Sequence, residues 1–153
     1  IVWTNGPTEI GPGVYATGPI PRRNDYEDSG GAFFADPACT VPDPFRDDQA
    51  LYVTTSDGVA VILGCAHAGV INTLEYIKAL TSGRPIRLLI GGMHLGKASP
   101  ERMERTIEAL RPLAIPRLIP AHCTGFNAAA QLRQAFGDAC QPATVGLRIE
   151  LDG

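Results

Sequence analysis

Three observations in the sequence predict an α/β fold, a mixed sheet with helices packed on one face. Three short apolar runs, at residues 59–63, 86–90 and 117–120, each end at a turn that carries a histidine. The stretches between them place apolar residues every three or four positions, the period of an amphipathic helix. A further run at residues 50–55 joins the first of these runs through Ser56-Asp57-Gly58, a strong hairpin signal. The element order is therefore a hairpin, then helix–strand–helix–strand–helix–strand.

Taken from the start, residues 1–12 are rich in glycine and proline and read as an extended lead-in, and residues 13–18 read as a short strand between glycine turns. Residues 18–47 form a long irregular loop, with Pro19, Pro21, Pro37, Pro42, Pro44 and Gly30-Gly31. Loops of this length are uncommon in a compact domain and often functional. A lid, a partner-binding arm and an ill-ordered segment are all open readings. We favour a substrate-side loop in which Arg22, Arg23, Tyr26 and Glu27 orient a polar or anionic ligand; an Arg22–Glu27 structural ion pair is the alternative. The continuous apolar run Val59-Ala60-Val61-Ile62-Leu63 predicts a strand buried on both faces. A helix follows from Ala68 to about Thr81, with Val70, Ile71, Leu74 and Ile77 on one side and Gly83 as its stop. Ser99-Pro100-Glu101 supplies a hydroxyl cap, a first-turn proline and a carboxylate at the positive end of the next helix. Met103, Ile107 and Leu110 are its stripe, and Pro112 ends it. A third helix is expected near residues 127–136, and the alternation through residues 145–151 reads as a final strand.

The totals exclude several function classes. A length of 153 residues gives one domain, or part of a larger one, and 44% hydrophobic against 19% charged residues supplies a real core. A net charge of −3 without a Lys/Arg cluster leaves no footprint for nucleic acid. No apolar run approaches the ~20 residues of a membrane span. The opening Ile1-Val2-Trp3-Thr4 is neither a signal nor a transit peptide, and without an initiator methionine both a mature start and a fragment stay open. Cys39, Cys65, Cys123 and Cys140 show no CxxC spacing, which disfavours a zinc ribbon, a thioredoxin-type pair and a disulfide framework. A cytoplasmic, reducing location is the expectation.

The chemistry concentrates at Cys65/His67, His94 and His122/Cys123, where all three histidines of the chain follow predicted strands. Open α/β sheets bind ligands beyond the carboxyl ends of their strands. Imidazole is the commonest neutral metal ligand, with cysteine and aspartate as companions. A single histidine after a strand reads equally well as a hydrogen-bonded turn residue; three in the same topological place favour a metal site. Cys65 and His67, two apart on extended backbone, are expected to share a side, whereas adjacent His122 and Cys123 would point apart, so that one of the two faces the site. Cys65 and Cys123 also read as small buried residues, Asn72 as a helix cap or surface residue, and Met93 as core. Thr124-Gly125 could open toward an anion at the third helix, or be ordinary turn chemistry.

At these residues the sequence resembles a known family. Asp47-Asp48-Gln49-Ala50-Leu51, Gly64-Cys65-Ala66-His67-Ala68-Gly69, Gly91-Gly92-Met93-His94-Leu95 and His122-Cys123-Thr124-Gly125 look like the second half of metallo-β-lactamase-fold hydrolases. The similar branch is the metal-dependent hydrolases of β-lactamase superfamily II, which includes dihydropterin ribofuranosylaminobenzene phosphate synthase-like proteins. Thr17-Gly18-Pro19-Ile20-Pro21-Arg22 and Tyr26-Glu27 share that likeness. The family fold is an αββα sandwich of two similar halves, with one or two metal ions between their edges and an HxHxDH motif in the first half. No such motif occurs here. The resemblance therefore implies that residues 1–153 form a single domain equal to the carboxyl-terminal half. It implies His67, His122 and His94 as metal-ligand candidates. Ligation by Cys65 is less favoured by it; the residues themselves add Cys65, Cys123 and Asp48 as possible metal or supporting residues, and Arg22, Glu27, Asn72 and Thr124 as substrate-binding candidates.

The resemblance also implies zinc, or iron or manganese, with one or two ions in the complete domain and a metal-bound hydroxide as nucleophile. No catalytic side chain is assigned. Three arrangements follow: a fragment or split hydrolase completed by an amino-terminal half, a non-catalytic binding or assembly module that has lost the metal site, or a homodimer that covers the exposed sheet edge. Each expects a partner. The chain alone is expected to be catalytically incompetent, on a small-molecule substrate that an anionic group would suit.

Overall fold

A computed structural model describes residues 3–151. Six strands form one sheet in sequence order: β1 (Thr8–Gly11), β2 (Val14–Ala16), β3 (Ala50–Thr54), β4 (Val59–Leu63), β5 (Ile86–Gly92) and β6 (Arg117–Ala121). Pairing is antiparallel from β1 through β4 and parallel from β4 to β6. The change follows from the connections. Ser56-Asp57-Gly58 folds β3 back on β4, while helices α1 (Val70–Leu80) and α2 (Pro100–Leu110) carry the chain between parallel neighbours. Helix α3 (Phe126–Phe136) follows β6.

All three helices pack on one face. Val70, Ile71, Leu74 and Ile77 of α1, Met103 and Leu110 of α2, and Ala128 and Leu132 of α3 share one cluster with Tyr52, Val59, Val61, Leu63, Leu89 and Leu118. The two-residue period of a strand sends Ala60, Leu88 and Ile119 to the opposite face. There Ile149 is the tail residue packed against them, and Ile62 is 37% exposed. The expectation that β4 is buried on both faces is therefore corrected: one face is sealed and the other only partly covered.

One further expectation changes. Residues 145–151 form no strand; Val145 and Gly146 make a turn and the rest is irregular. The place beside β6 is already taken by residues 140–143, where Gln141 N donates to Leu118 O at 2.9 Å and Ala143 N to Pro120 O at 3.5 Å. The alternating pattern has no free ladder to join. Within the extended lead-in, residues Thr8–Gly11 pair with β2 as β1. It is a short edge strand with a register shift between Glu9 and Gly11, the setting in which glycine is tolerated.

The loop at residues 18–47 has no helix or longer strand, only one bridge between Phe34 and Pro42. It is nonetheless built into the fold through Glu27, which is 2% exposed. Glu27 Oε1 accepts from Ile71 N and Oε2 from Asn72 N, both at 2.8 Å. Helix α1 begins at Gly69 without a side-chain cap of its own. The loop supplies that cap from a distance, placing a carboxylate on the free amides and positive end of the helix.

Candidate functional site

The carboxyl ends of β4, β5 and β6 come together through close backbone contact. Gly92 N donates to Gly64 O at 3.0 Å, tying the ends of β4 and β5. A Cβ at Gly92 would lie 2.5 Å from Gly64 O and 2.7 Å from Cys123 Sγ, so this crossing admits only glycine. Around it, three non-glycine residues adopt left-handed backbone: Ala66 (φ 55°), His94 (φ 50°) and His122 (φ 48°). Such conformations are costly for residues with a Cβ and gather at functional sites.

Those φ values rearrange the expected ligand directions. Left-handed Ala66 breaks the extended run, so Cys65 and His67 do not share a side. Cys65 joins His122 and Cys123, with the three ligand atoms all within 4.8 Å of one another. His67 instead meets His94 edge to face, ring centroids 4.6 Å apart. His122 and Cys123 converge rather than diverge, because they lie in a tight 3-10 turn over His122–Thr124 that an extended-strand rule does not describe.

Hydrogen bonds fix the individual side chains. Cys123 Sγ donates to Cys65 O at 3.4 Å. Burial, then the neighbouring Cys123 thiol, pushes the Cys65 thiol up from its ordinary range. His94 pairs through Nε2 with Ser29 O at 2.9 Å. A carbonyl only accepts, so Nε2 donates in this contact, and in a neutral ring Nδ1 is then the nitrogen open to a ligand. His67 packs against Phe45, ring centroids 5.6 Å apart. Asp48 Oδ2 accepts from Ala68 N at 2.8 Å, bracing the turn that presents His67.

The four residues read as substrate-binding occupy different places. Asn72 Oδ1 accepts from Arg23 N and Asn24 N at 2.8 and 3.1 Å, and its Nδ2 donates to Ala68 O at 2.8 Å. Thr124 Oγ1 accepts from Met93 N at 3.0 Å and is buried. With Glu27 capping α1, these three polar groups are engaged with backbone. Arg22 Nη2 donates to the backbone carbonyl of Glu27 at 2.9 Å, not to its carboxylate, so the Arg22–Glu27 ion pair is replaced by a loop brace. Arg22 is exposed beside Phe45, its guanidinium carbon 5.9 Å from the ring centroid.

A cavity of about 360 Å³ opens beside His94 and Cys123, walled also by Ser29, Phe33, Lys97 and Arg102. Arg102 escaped the sequence reading, although helical spacing carries the signal. It stands one position before Met103, with Thr106 and Leu110 four and eight positions on, which puts an arginine on the buried face. Ser29 and Phe45 left no comparable trace, since their roles depend on the path of an irregular loop.

No family model matches the sequence. Among curated proteins, a 7,8-dihydropterin-6-methyl-4-(beta-D-ribofuranosyl)-aminobenzene-5'-phosphate synthase of Methanocaldococcus jannaschii is 27% identical over 139 residues, 88% of this chain and 47% of the relative. An uncharacterized protein of the same organism is 32% identical over 128 residues, 84% of this chain and 46% of the relative. The chain spans about half the length of the curated relatives it matches. A crystal structure of a metal-dependent hydrolase of the beta-lactamase superfamily superposes with a TM-score of 0.83 at 33% identity, covering 96% of this chain and 57% of that one. The six-stranded mixed sheet with its three helices is therefore a β-lactamase-like α/β fold.

Proposed function

We propose that this chain forms one side of a metal-dependent hydrolase site of the β-lactamase superfamily. The observation that carries the reading is the gathering of Cys65, His122 and Cys123 within 4.8 Å, beside the His67–His94 pair, at the strand ends of a β-lactamase-like fold. The donor set fits a metal: imidazole nitrogen and thiol sulfur at this spacing suit zinc, or iron, better than the harder manganese. His122 belongs to the histidine set and to the cysteine cluster alike, so it is the central ligand, with His67 and His94 beside it and Cys65, Cys123 and Asp48 in support. When bound, such an ion lowers the pKa of a coordinated water and polarises a scissile bond.

The protein's own groups do the positioning. Ser29 fixes the His94 tautomer, Asp48 braces the His67 turn, and Phe45 screens one side of His67 from water. Exposed Arg22 is the group of the loop best placed to meet a substrate anion, while Glu27, Asn72 and Thr124 shape the walls. The reading places a complementary half on the sheet face where Ile62 stands 37% exposed; a second copy of this chain is the other partner that face would take. A binding or assembly module without metal is the second reading, favoured by the same uncovered face. No helix of the described residues is long and apolar enough to cross a membrane, and with free thiols the proposed location is cytoplasmic.

The test is the intact mass of the purified material together with its metal content and its hydrolysis of phosphoester, lactam and thioester substrates. A second polypeptide, near-stoichiometric metal and activity that needs both chains would support the proposal. Metal-free, inactive homodimers would support the module instead. Robust hydrolysis by this chain alone would remove the shared-site part.

A further inference from the structure

Cys65 follows β4 and Cys123 lies in the 3-10 turn after β6, yet the two meet. Their sulfurs belong to the group of ligand atoms that lie within 4.8 Å of one another. Cys123 Sγ rests on the backbone of its neighbour, 3.4 Å from Cys65 O. Both residues also press on Gly92, where a Cβ would lie 3.2 Å from Cys65 Cα and 2.7 Å from Cys123 Sγ. A disulfide needs sulfurs about 2 Å apart on closely placed backbones. The backbone approach is already made at the ends of β4, β5 and β6, so the remaining step is a rotation of the two side chains. The other cysteines have different settings: Cys39 is exposed in the loop at residues 18–47, and Cys140 is 1% exposed in the core. Cys65 and Cys123 are half-buried, and Cys123 walls the cavity of about 360 Å³ beside His94. A small oxidant therefore has a route to Cys123, with Cys65 adjacent.

We propose that Cys65 and Cys123 form an oxidation site, a thiol pair that closes to a disulfide when a peroxide enters the cavity. Cys123 Sγ attacks a peroxide oxygen, the O–O bond breaks, and hydrogen peroxide leaves a sulfenic acid and one water. Cys65 Sγ then attacks Cys123 Sγ; the S–O bond breaks, and hydroxide leaves with the Cys65 proton as water. Two thiols and one hydrogen peroxide thus give one disulfide and two waters. The bond removes two of the three ligand atoms of the Cys65, His122 and Cys123 cluster, because a disulfide sulfur no longer offers a thiolate to a metal. Metal uptake then requires a reduced pair. That consequence rests on the hydrolase reading above; the bond itself does not. In a reducing compartment such a bond is transient, the mark of a sensing pair rather than a structural one.

The test treats the full chain, stripped of metal by a chelator, with a small excess of hydrogen peroxide. Remaining thiols are then alkylated and tryptic peptides are mapped by mass. Cleavage after lysine and arginine leaves the four cysteines on separate peptides, residues 24–46, 47–78, 118–133 and 134–148. The expected product joins 47–78 to 118–133, carries alkyl groups on Cys39 and Cys140, and reverts with dithiothreitol. Zinc affinity of the oxidised chain is expected to fall at least tenfold and to recover on reduction. Cys39→Ser, at an exposed position, should form the same link. Alkylation of both Cys65 and Cys123 after oxidation, a sulfinic acid on Cys123 beside a free Cys65, or links chiefly through Cys39 would overturn the proposal. Equal, measurable zinc affinity in the two states would overturn its control of metal uptake. The same link in a chain that takes no zinc in either state would support the thiol pair and remove the metal reading.

Discussion

His67 and His94 meet edge to face, ring centroids 4.6 Å apart, although each follows a different strand. The contact brings the turn after β4 onto the end of β5, and it leaves His122 with the two cysteines. The proposed metal site therefore gives the histidines unequal roles. His122→Ala removes the one imidazole in the Cys65/Cys123 cluster and is expected to lower zinc affinity by at least tenfold, about 1.4 kcal/mol. His94→Ala should cost less, since His94 lies outside the Cys65, His122 and Cys123 cluster. Equilibrium dialysis of both variants checks the order.

Glu27 caps α1 across the fold, receiving the amides of Ile71 and Asn72 and the side-chain amide of Asn24. Glu27→Ala leaves buried donors unpaired and is expected to cost about 3 kcal/mol. Glu27→Gln keeps one acceptor and should cost about half as much. Urea unfolding reads both; a loss below about 0.5 kcal/mol for Glu27→Ala would make the cap a bystander.

Gly92 links stability to the site. A Cβ there would lie 2.7 Å from Cys123 Sγ. Gly92→Ala is expected to destabilise the chain by about 2 kcal/mol through overpacking and to weaken zinc binding by displacing Cys123. Normal zinc affinity in a folded Gly92→Ala would separate Cys123 from the metal.

Tyr26 predicts an alkaline limit. Burial, then the Glu27 carboxylate, pushes its phenol up from 10.0 to about 12, against the opposing pull of Arg105. The folded state holds the proton more tightly than the unfolded chain, so this stabilisation is complete below pH 10 and is lost as pH rises toward 12. Tyr26→Phe should flatten the fall in thermal stability across that window. An unchanged slope would assign it to other groups.

Much of the fold was legible because its signals are local. The Ser56-Asp57-Gly58 turn, the helix start at Ser99-Pro100 and the apolar runs before each histidine all act through neighbours in sequence. The final strand was misread because alternation at residues 145–151 cannot report that residues 140–143 already occupy the edge of β6. At the site, the sequence located the histidine turns but not their geometry. Left-handed backbone at Ala66 and His122 decides which side chains meet, and neither alanine nor histidine advertises it. Arg102 was readable from helical spacing; the long-range cap by Glu27 was not, since it depends on where an irregular loop returns.

The most direct test of the central claim is calorimetric titration of the chain with zinc, beside His122→Ala. The account predicts binding of zinc that is weaker than in a complete hydrolase site and is abolished or reduced at least tenfold in the variant. No zinc binding by the wild-type chain, or equal binding by a folded His122→Ala, would contradict it.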